Sequence, residues 1–358
     1  MRRTATGPGE TRRPRVLHLL ASTGGGMGGM ENHVMGLCRG LSPDFDVHVL
    51  TDFPYASQCP PGVSFHGADF TRSRWNPFLY RDTARCIRDL APDIIHAHGG
   101  KAAQLLRRIR PLIPRSCTIA TVHGTKTRID DYDAMDGVIA VSAQIAGRFA
   151  PGRVRVIANG VPPAPLLEAS ACEALRQSLL GAHPGPLAVA IGRLAPVKGF
   201  DILIEAFRGL SARLCIIGDG EEREDLQARI DAAGLADRVV LTGYRADARS
   251  ILQAADLCVL SSRREGFPLI LAEALQAGCP MVSTAVSGVS GFLPDTVLAP
   301  PEDDAALHTV LAAALADLPG LRTAFAPVFK RAADELTLDG MVRATAAYYR
   351  ECLDCHVS

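Results

Sequence analysis

Residues 17–33 read LHLLASTGGGMGGMENH: an apolar run, a string of glycines between positions 24 and 29, then residues suited to the first turn of a helix. Strand, glycine turn and helix in that order make the phosphate-facing edge of a doubly wound α/β domain. Gly24, Gly26 and Gly29 satisfy G-x-G-x-x-G literally. Asp52 closes the next apolar run, VHVLTD, where a dinucleotide-binding fold places its ribose-gripping carboxylate. The glycines thus admit two readings: a nicotinamide or flavin site, or a turn that serves another phosphate.

The rest of the first half repeats the pattern. RVLHLL, DVHVLT, DIIHAH, CTIATVH, GVIAVS and VRVIA are strand candidates, separated by helical stretches such as NPFLYRDTARCIRDLAP. A Pro- and Ala-rich stretch over 161–186 looks like a junction. A second series, LAVAIG, RLCIIG, RVVLTG, LCVLSS and PMVSTA, then starts afresh. The expected organisation is a disordered tail over 1–14, a Rossmann-like domain over 15–165, a linker over 166–186, a second Rossmann-like domain over 187–335 and a last helical segment over 336–358.

Composition bounds the class. At 358 residues, 47% apolar and 21% charged, the chain is an ordinary globular one with room for two domains. It has no uninterrupted apolar run of ~18 residues. The first fourteen residues lack the apolar core of a secretory signal, so a cytoplasmic setting with reduced thiols is expected for the ten scattered cysteines. CLDCH (352–356) matches the c-type haem attachment string, but its place at the C-terminus marks it as coincidence. The net charge of zero hides an asymmetry: residues 1–165 hold 21 Lys and Arg against 13 Asp and Glu, and 166–358 hold 17 against 25. A basic first half favours an anionic surface or substrate on that side.

The second half carries the sharper chemistry. IGRLAPVKGFDILIEAF places Arg193 and Lys198 in a strand-to-helix loop, at the end of a parallel sheet where such folds bind ligands. Two cations beside a helix N-terminus suit a diphosphate. In SSRREGFPLILAEALQAGCP, Glu265 follows a strand, and a helix beginning near Pro268 offers the amides of Leu269 and Ile270 to phosphate oxygens. Glu273, among Leu271, Ala272, Ala274 and Leu275, has few polar neighbours unless a ligand such as a ribose supplies them.

Taken together these stretches resemble the retaining GT-B glycosyltransferases of glycosyltransferase family 4. EGFPLILAE is similar to that family's Glu-x7-Glu signature, GRLAPVKG to its G-R-L-x-x-x-K-G, IIGDG to I-x-G-x-G and IANGV to its hinge N-G-V; DGVIAVS and TVHGTK resemble its first-domain strands. The resemblance runs over about residues 15–353 and implies two Rossmann-like domains facing a cleft, with the final helix crossing back to the first. It implies that Arg193 and Lys198 neutralise the departing donor diphosphate, that Glu265 contacts the transferred sugar and that His123 approaches that sugar from the first domain. Glu273 would take the ribose. Gly218 and the LTGY loop (Gly243, Tyr244) would line the same crevice, and Gly26, Gly28 and Gly29 would let backbone amides approach the diphosphate.

Glu31, Asn32 and His98 would stand on the acceptor side, although Glu31 and Asn32 equally suit helix capping. The family usually has an acidic residue after the stretch PMVSTAVSG; here VSGVSGFLP follows from Val286 instead.

The function expected is transfer of a hexose-type sugar from a nucleoside-diphosphate sugar, a UDP-sugar first, to a glycan or lipid-linked acceptor such as a lipopolysaccharide or cell-envelope glycan. No cofactor, metal or nucleic acid is expected. The Asp-x-Asp pairs Asp44/Asp46 and Asp131/Asp133 show no second ligand cluster in sequence, the latter pair sitting in a polar loop. Residues 101–115, KAAQLLRRIRPLIPR, read either as a helix resting on an anionic bilayer or as an ordinary surface helix. A GT-B epimerase and a dinucleotide oxidoreductase built on the glycine turn stand as alternatives.

Overall fold

The computed structural model describes residues 12–24, 26–125, 128–164 and 166–357. Most of the proposed tail, Gly25 and Lys126 lie outside them. In the first half the strands are β1 (Arg15–Leu20), β2 (Asp46–Thr51), β3 (Ser64–Gly67), β4 (Ile94–His98), β5 (Cys117–Val122), β6 (Gly137–Ala140) and β7 (Val154–Val156). They pair in the order 3-2-1-4-5-6-7, every pair parallel. In the second half β8 (Leu187–Ile191), β9 (Arg213–Ile217), β10 (Val239–Gly243), β11 (Leu257–Leu260), β12 (Met281–Thr284) and β13 (Leu298–Ala299) pair in the order 10-9-8-11-12-13, again parallel. The strand order reverses between β1 and β4, and between β8 and β11; ligands of such sheets bind outside these two points.

Helices cover both faces of each sheet, which is why the strands read as nearly continuous apolar runs. The two faces of β1 feed different clusters: Leu17 and Leu19 join the large core, while Val16 and Leu20 pack under the helix Gly29–Leu41 and the final helix Leu338–Val357. That final helix therefore docks on the first domain. Its Tyr349 is fully buried, its Tyr348 hydroxyl accepts from the Val138 amide at 3.1 Å, and Arg155 and Arg350 bridge to Glu351 and Asp44 across the same seam.

Several sequence expectations need correction. β3 and β13 were not foreseen: they are short edge strands of four and two residues, too brief to show a period. Asp131 and Asp133 lie in a single helical turn, Asp130–Asp133, and not in a polar loop, because Tyr132 is buried and anchors it. In 101–115, a helix over Gly99–Ile109 commits Leu105, Leu106 and Ile109 to the core. That leaves Arg107 and Arg108 exposed on the helix and Leu112, 54% exposed, beyond its end, so most of the apolar set that the bilayer reading relied on faces the protein interior. No single described helix is long and apolar enough to cross a membrane.

Candidate active site

On the second domain the site grows from the ends of β8 and β11. The chain leaves β8 through Gly192 and Arg193 and turns through a short 3-10 helix, Pro196–Lys198. It leaves β11 through Ser261 and Ser262 to reach Glu265. The Lys198 ammonium stands 2.7 Å from Glu265 Oε1, and the Ser262 hydroxyl donates to that same oxygen at 2.7 Å. Arg263, which the sequence reading passed over, fixes this loop: it grips the Asp201 carboxylate with two bonds, at 2.7 and 2.9 Å, and the Pro196 carbonyl at 2.6 Å. Arg193 is exposed and has no ion-pair partner among the described residues.

The helix Leu269–Gln276 begins at Pro268, so the amides of Leu269 and Ile270 sit in its open first turn. Across from it lies the glycine turn of the first domain; a methyl placed on Gly29 would stand 3.8 Å from Leu269 Cδ1. Glu273 is half-buried, 3.9 Å from Arg249 Nε. Burial pushes its carboxyl up, with Arg249 opposing. Gly218 follows β9 with φ +143°, and any Cβ there would lie 1.8 Å from the Gly192 carbonyl, so only glycine lets the β8 and β9 ends close together. Gly243 ends β10 and Tyr244, 79% exposed, stands beyond it.

The two domains touch at this site. A Cβ on Gly266, the residue after Glu265, would lie 1.9 Å from the His123 carbonyl. Asn159 donates to the Phe267 carbonyl at 3.1 Å, and the Ser142 and Ser287 hydroxyls meet at 2.9 Å. The His123 backbone is thereby held against Gly266, the residue that follows Glu265.

Behind His123 is a cluster the sequence reading did not assemble. His18 and His96 are register partners on β1 and β4, and His98 and Thr121 are partners on β4 and β5. With side chains alternating along each strand, His18, His96, His98 and Thr121 share the face that receives His33 from the helix Gly29–Leu41 and Tyr349 from the final helix. His18 Nδ1 lies 3.0 Å from His98 Nε2, and His98 Nδ1 lies 3.3 Å from His123 Nε2. His96 bonds Tyr349 at 2.5 Å and Thr121 at 2.7 Å, and the His33 ring meets the edge of His123 at 4.7 Å. Burial holds these imidazoles neutral, pulling His18 down to about 3 and His33 to about 4; His96, His98 and His123 are also well below their ordinary value, with the neighbouring histidines adding to the effect.

His98 was expected on the acceptor side. It is 1% exposed and lies beneath His123, because the alternation of β4 turns it into the sheet face. Its role is internal: a neutral imidazole carries one proton, so His98 donates to one neighbour and accepts from the other, which sets the tautomer of His123. His123 itself is part-buried, more enclosed than its strand-end position led one to expect. Two groups of three imidazoles, His18–His96–His98 and His33–His98–His123, bring their ring nitrogens within 4.8 Å of one another; these are potential metal-ligand sets that the Asp-x-Asp search overlooked.

The glycine turn is held from below, where the Tyr55 hydroxyl reaches the Thr23 and Gly26 carbonyls at 3.2 Å each. Glu31 takes the capping role, accepting from the Gly28 amide at 3.0 Å and from Ser22 at 2.5 Å, while Asn32 stays exposed. Asp52 is buried and its carboxylate accepts from the Phe53 amide at 3.1 Å, capping a 3-10 turn. It is not available to grip a ribose, and the dinucleotide reading loses its second element. CLDCH lies in the final helix with Cys352 against Cys117 and Tyr348, so it presents no exposed pair of thiols for haem.

Comparison with known proteins agrees with this architecture. Residues 27–164 match the family model Glycosyltransferase Family 4, and residues 171–327 match that of Glycosyl transferases group 1. The lipopolysaccharide core biosynthesis glycosyltransferase LpsD of Rhizobium meliloti (strain 1021) is 27% identical over 270 residues, 73% of this chain and 76% of that protein. LpsE of the same organism is 29% identical over 209 residues, 57% of this chain and 59% of that protein. The crystal structure of Anabaena Alr3699/HepE in complex with UDP-glucose matches with a TM-score of 0.79 at 19% identity, covering 94% of this chain and 99% of that one. The chain belongs to glycosyltransferase family 4 and has the GT-B fold.

Proposed function

We propose that this glycosyltransferase moves a hexose-type sugar from a UDP-sugar to a glycan or lipid-linked acceptor of the cell envelope, with retention of anomeric configuration and without a metal, in the cytoplasm. The observation that carries the reading is the Lys198–Glu265 pair at the end of β8 and β11, closed against His123 through Gly266. The lipopolysaccharide-core relatives support the acceptor class, and the UDP-glucose held by the Anabaena neighbour supports the donor.

In this mechanism the diphosphate lies against Arg193, Lys198 and the amides of Leu269 and Ile270, with the glycines at 26, 28 and 29 opposite. Glu273 takes the ribose, and Gly243 and Tyr244 lie near the base. As the anomeric C–O bond breaks, charge develops on the departing phosphate, where the two cations and the helix N-terminus stabilise it most. The acceptor hydroxyl attacks from the same face while the ion pair persists, and its proton passes to the leaving phosphate oxygen. Glu265, with one oxygen held by Lys198 and Ser262, orients the sugar rather than attacking it.

The test is to incubate the protein with UDP-, GDP- and ADP-sugars and assay free nucleoside diphosphate. Slow donor hydrolysis that disappears in Glu265→Ala and Lys198→Ala is expected. Tight NAD binding with no turnover of any donor would sink the proposal, and a trapped glycosyl-enzyme on Glu265 would replace front-face attack with a covalent route.

A further inference from the structure

A cavity of about 700 Å³ opens on the first-domain side of the cleft, and none of the proposed donor contacts lines it. Its walls continue directly from the reacting groups: Gly124 and Thr125 follow His123, and Arg264 precedes Glu265. Among the described residues four cations line it, Arg74, Lys101, Arg128 and Arg264, against one lining carboxylate, Asp131, which is bridged to Arg107 at 3.1 Å; Arg128 also meets the exposed Asp130 at 3.3 Å. Lys101 is half-buried, its ammonium donating to the Phe70 and Arg72 carbonyls, and burial with the neighbouring Arg74 charge pulls it down from its ordinary value. Arg264 and Arg74 are exposed and carry no ion pair among the described residues. An anion entering here would meet more positive than negative charge.

Two further observations point to a sugar. Trp75, 59% exposed, lines the cavity, and the Arg108 guanidinium lies over its ring at 4.1 Å. Gln104 also lines the cavity; it is 92% buried by its 8% exposure, and its side-chain oxygen has no hydrogen-bond partner. A buried acceptor without a donor costs free energy, and a ligand hydroxyl would satisfy it.

We infer that this cavity is the acceptor subsite and that the acceptor is an anionic glycan, bearing a phosphate or carboxylate. Its charged group sits among Arg74, Lys101, Arg128 and Arg264; one ring stacks on Trp75; a hydroxyl donates to Gln104. The subsite rests on the transferase reading and adds to it the charge class of the acceptor. The basic excess of the first half has a destination in this pocket, where the membrane reading of 101–115 had looked for one.

Trp75 is the chain's single tryptophan, so its fluorescence reports occupancy of the pocket. The full-length protein is titrated with glucose 6-phosphate, glucuronic acid, glucose, inorganic phosphate and phosphatidylglycerol vesicles. The expected result is a saturable change with the two charged sugars, at least about tenfold tighter than with glucose or inorganic phosphate, and weakened about tenfold in Arg128→Glu and in Arg264→Glu. Both arginines are exposed, so circular dichroism of the variants should match the parent. An equal response to glucose, a response to inorganic phosphate or vesicles alone, or variants that bind as well as the parent overturns the proposal. UDP release from UDP-sugars by the unaltered chain is measured alongside. Turnover without charged-sugar binding rejects the subsite and leaves the transferase reading standing; absence of turnover with every donor rejects that reading itself.

Discussion

Where its strand order reverses, the first domain presents β1 and β4 with His18, His96 and His98, while the second presents β8 and β11 with Arg193, Lys198 and Glu265. The topology is the same and the chemistry is opposite. The second domain keeps formal charges part-exposed at its crevice, which suits the proposed contact with a departing diphosphate. The first domain fills the equivalent place with neutral, mutually bonded imidazoles, and puts its cations further out, around the cavity beside Trp75. A charge needs water or a counter-charge, whereas a neutral imidazole can be buried if its nitrogens find partners. The two crevices can therefore face one another without two sets of cations colliding.

Acid should break this comparison most. His18, His33, His96 and His98 are buried with folded values depressed below the unfolded one of 6.5, so they contribute stability that is present above that pH and is lost as pH falls toward their folded values. Each protonation open only to the unfolded chain costs about 1.4 kcal/mol per pH unit. Glu273 has the opposite sign, since its raised value makes the protein more stable once it is protonated. Hydrogen exchange followed from pH 7 to pH 5 should show the first sheet opening well before the second. Simultaneous loss of protection in both would mean that the imidazole cluster titrates without cost.

Next in size is the charge pair. Lys198→Ala or Glu265→Ala is expected to cut donor turnover by about 10²–10³-fold while shifting Tm little, because one charge-stabilising group at a reacting centre is worth that much. Gly266→Ala comes third: its methyl would meet the His123 carbonyl, so the domains must part and turnover should fall about tenfold or more, a misplacement effect read by kcat with circular dichroism unchanged. The smallest is Tyr349→Phe, which removes the His96 hydrogen bond; unfolding in urea should show a loss of about 1 kcal/mol, with donor KM unaltered.

Much of the candidate site on the second domain was legible in sequence because its residues are carried by contiguous stretches. Arg193 and Lys198 share one loop, and Glu265, Leu269, Ile270 and Glu273 share one loop and helix, so their spacing alone places them together. Arg263 was missed because its meaning lies in Asp201, sixty-two residues away in the chain. His98 and His123 were singled out one by one, but their joining with His18, His33 and His96 was missed; alternation was visible in DIIHAH, yet nothing local says that β1 and β4 are neighbours.

By itself the sequence determined the two α/β domains, the strand-to-helix turns and the identity of the charged loops, since apolar periodicity and glycine spacing are properties of short segments. Only the tertiary structure decided that Glu31 caps, that Asp52 is spent on a turn, that His98 lies beneath His123 and that Trp75, Gln104 and four cations enclose one cavity. Those outcomes depend on strand order, register and the meeting of Gly266 with His123, which bring together residues that sequence holds far apart.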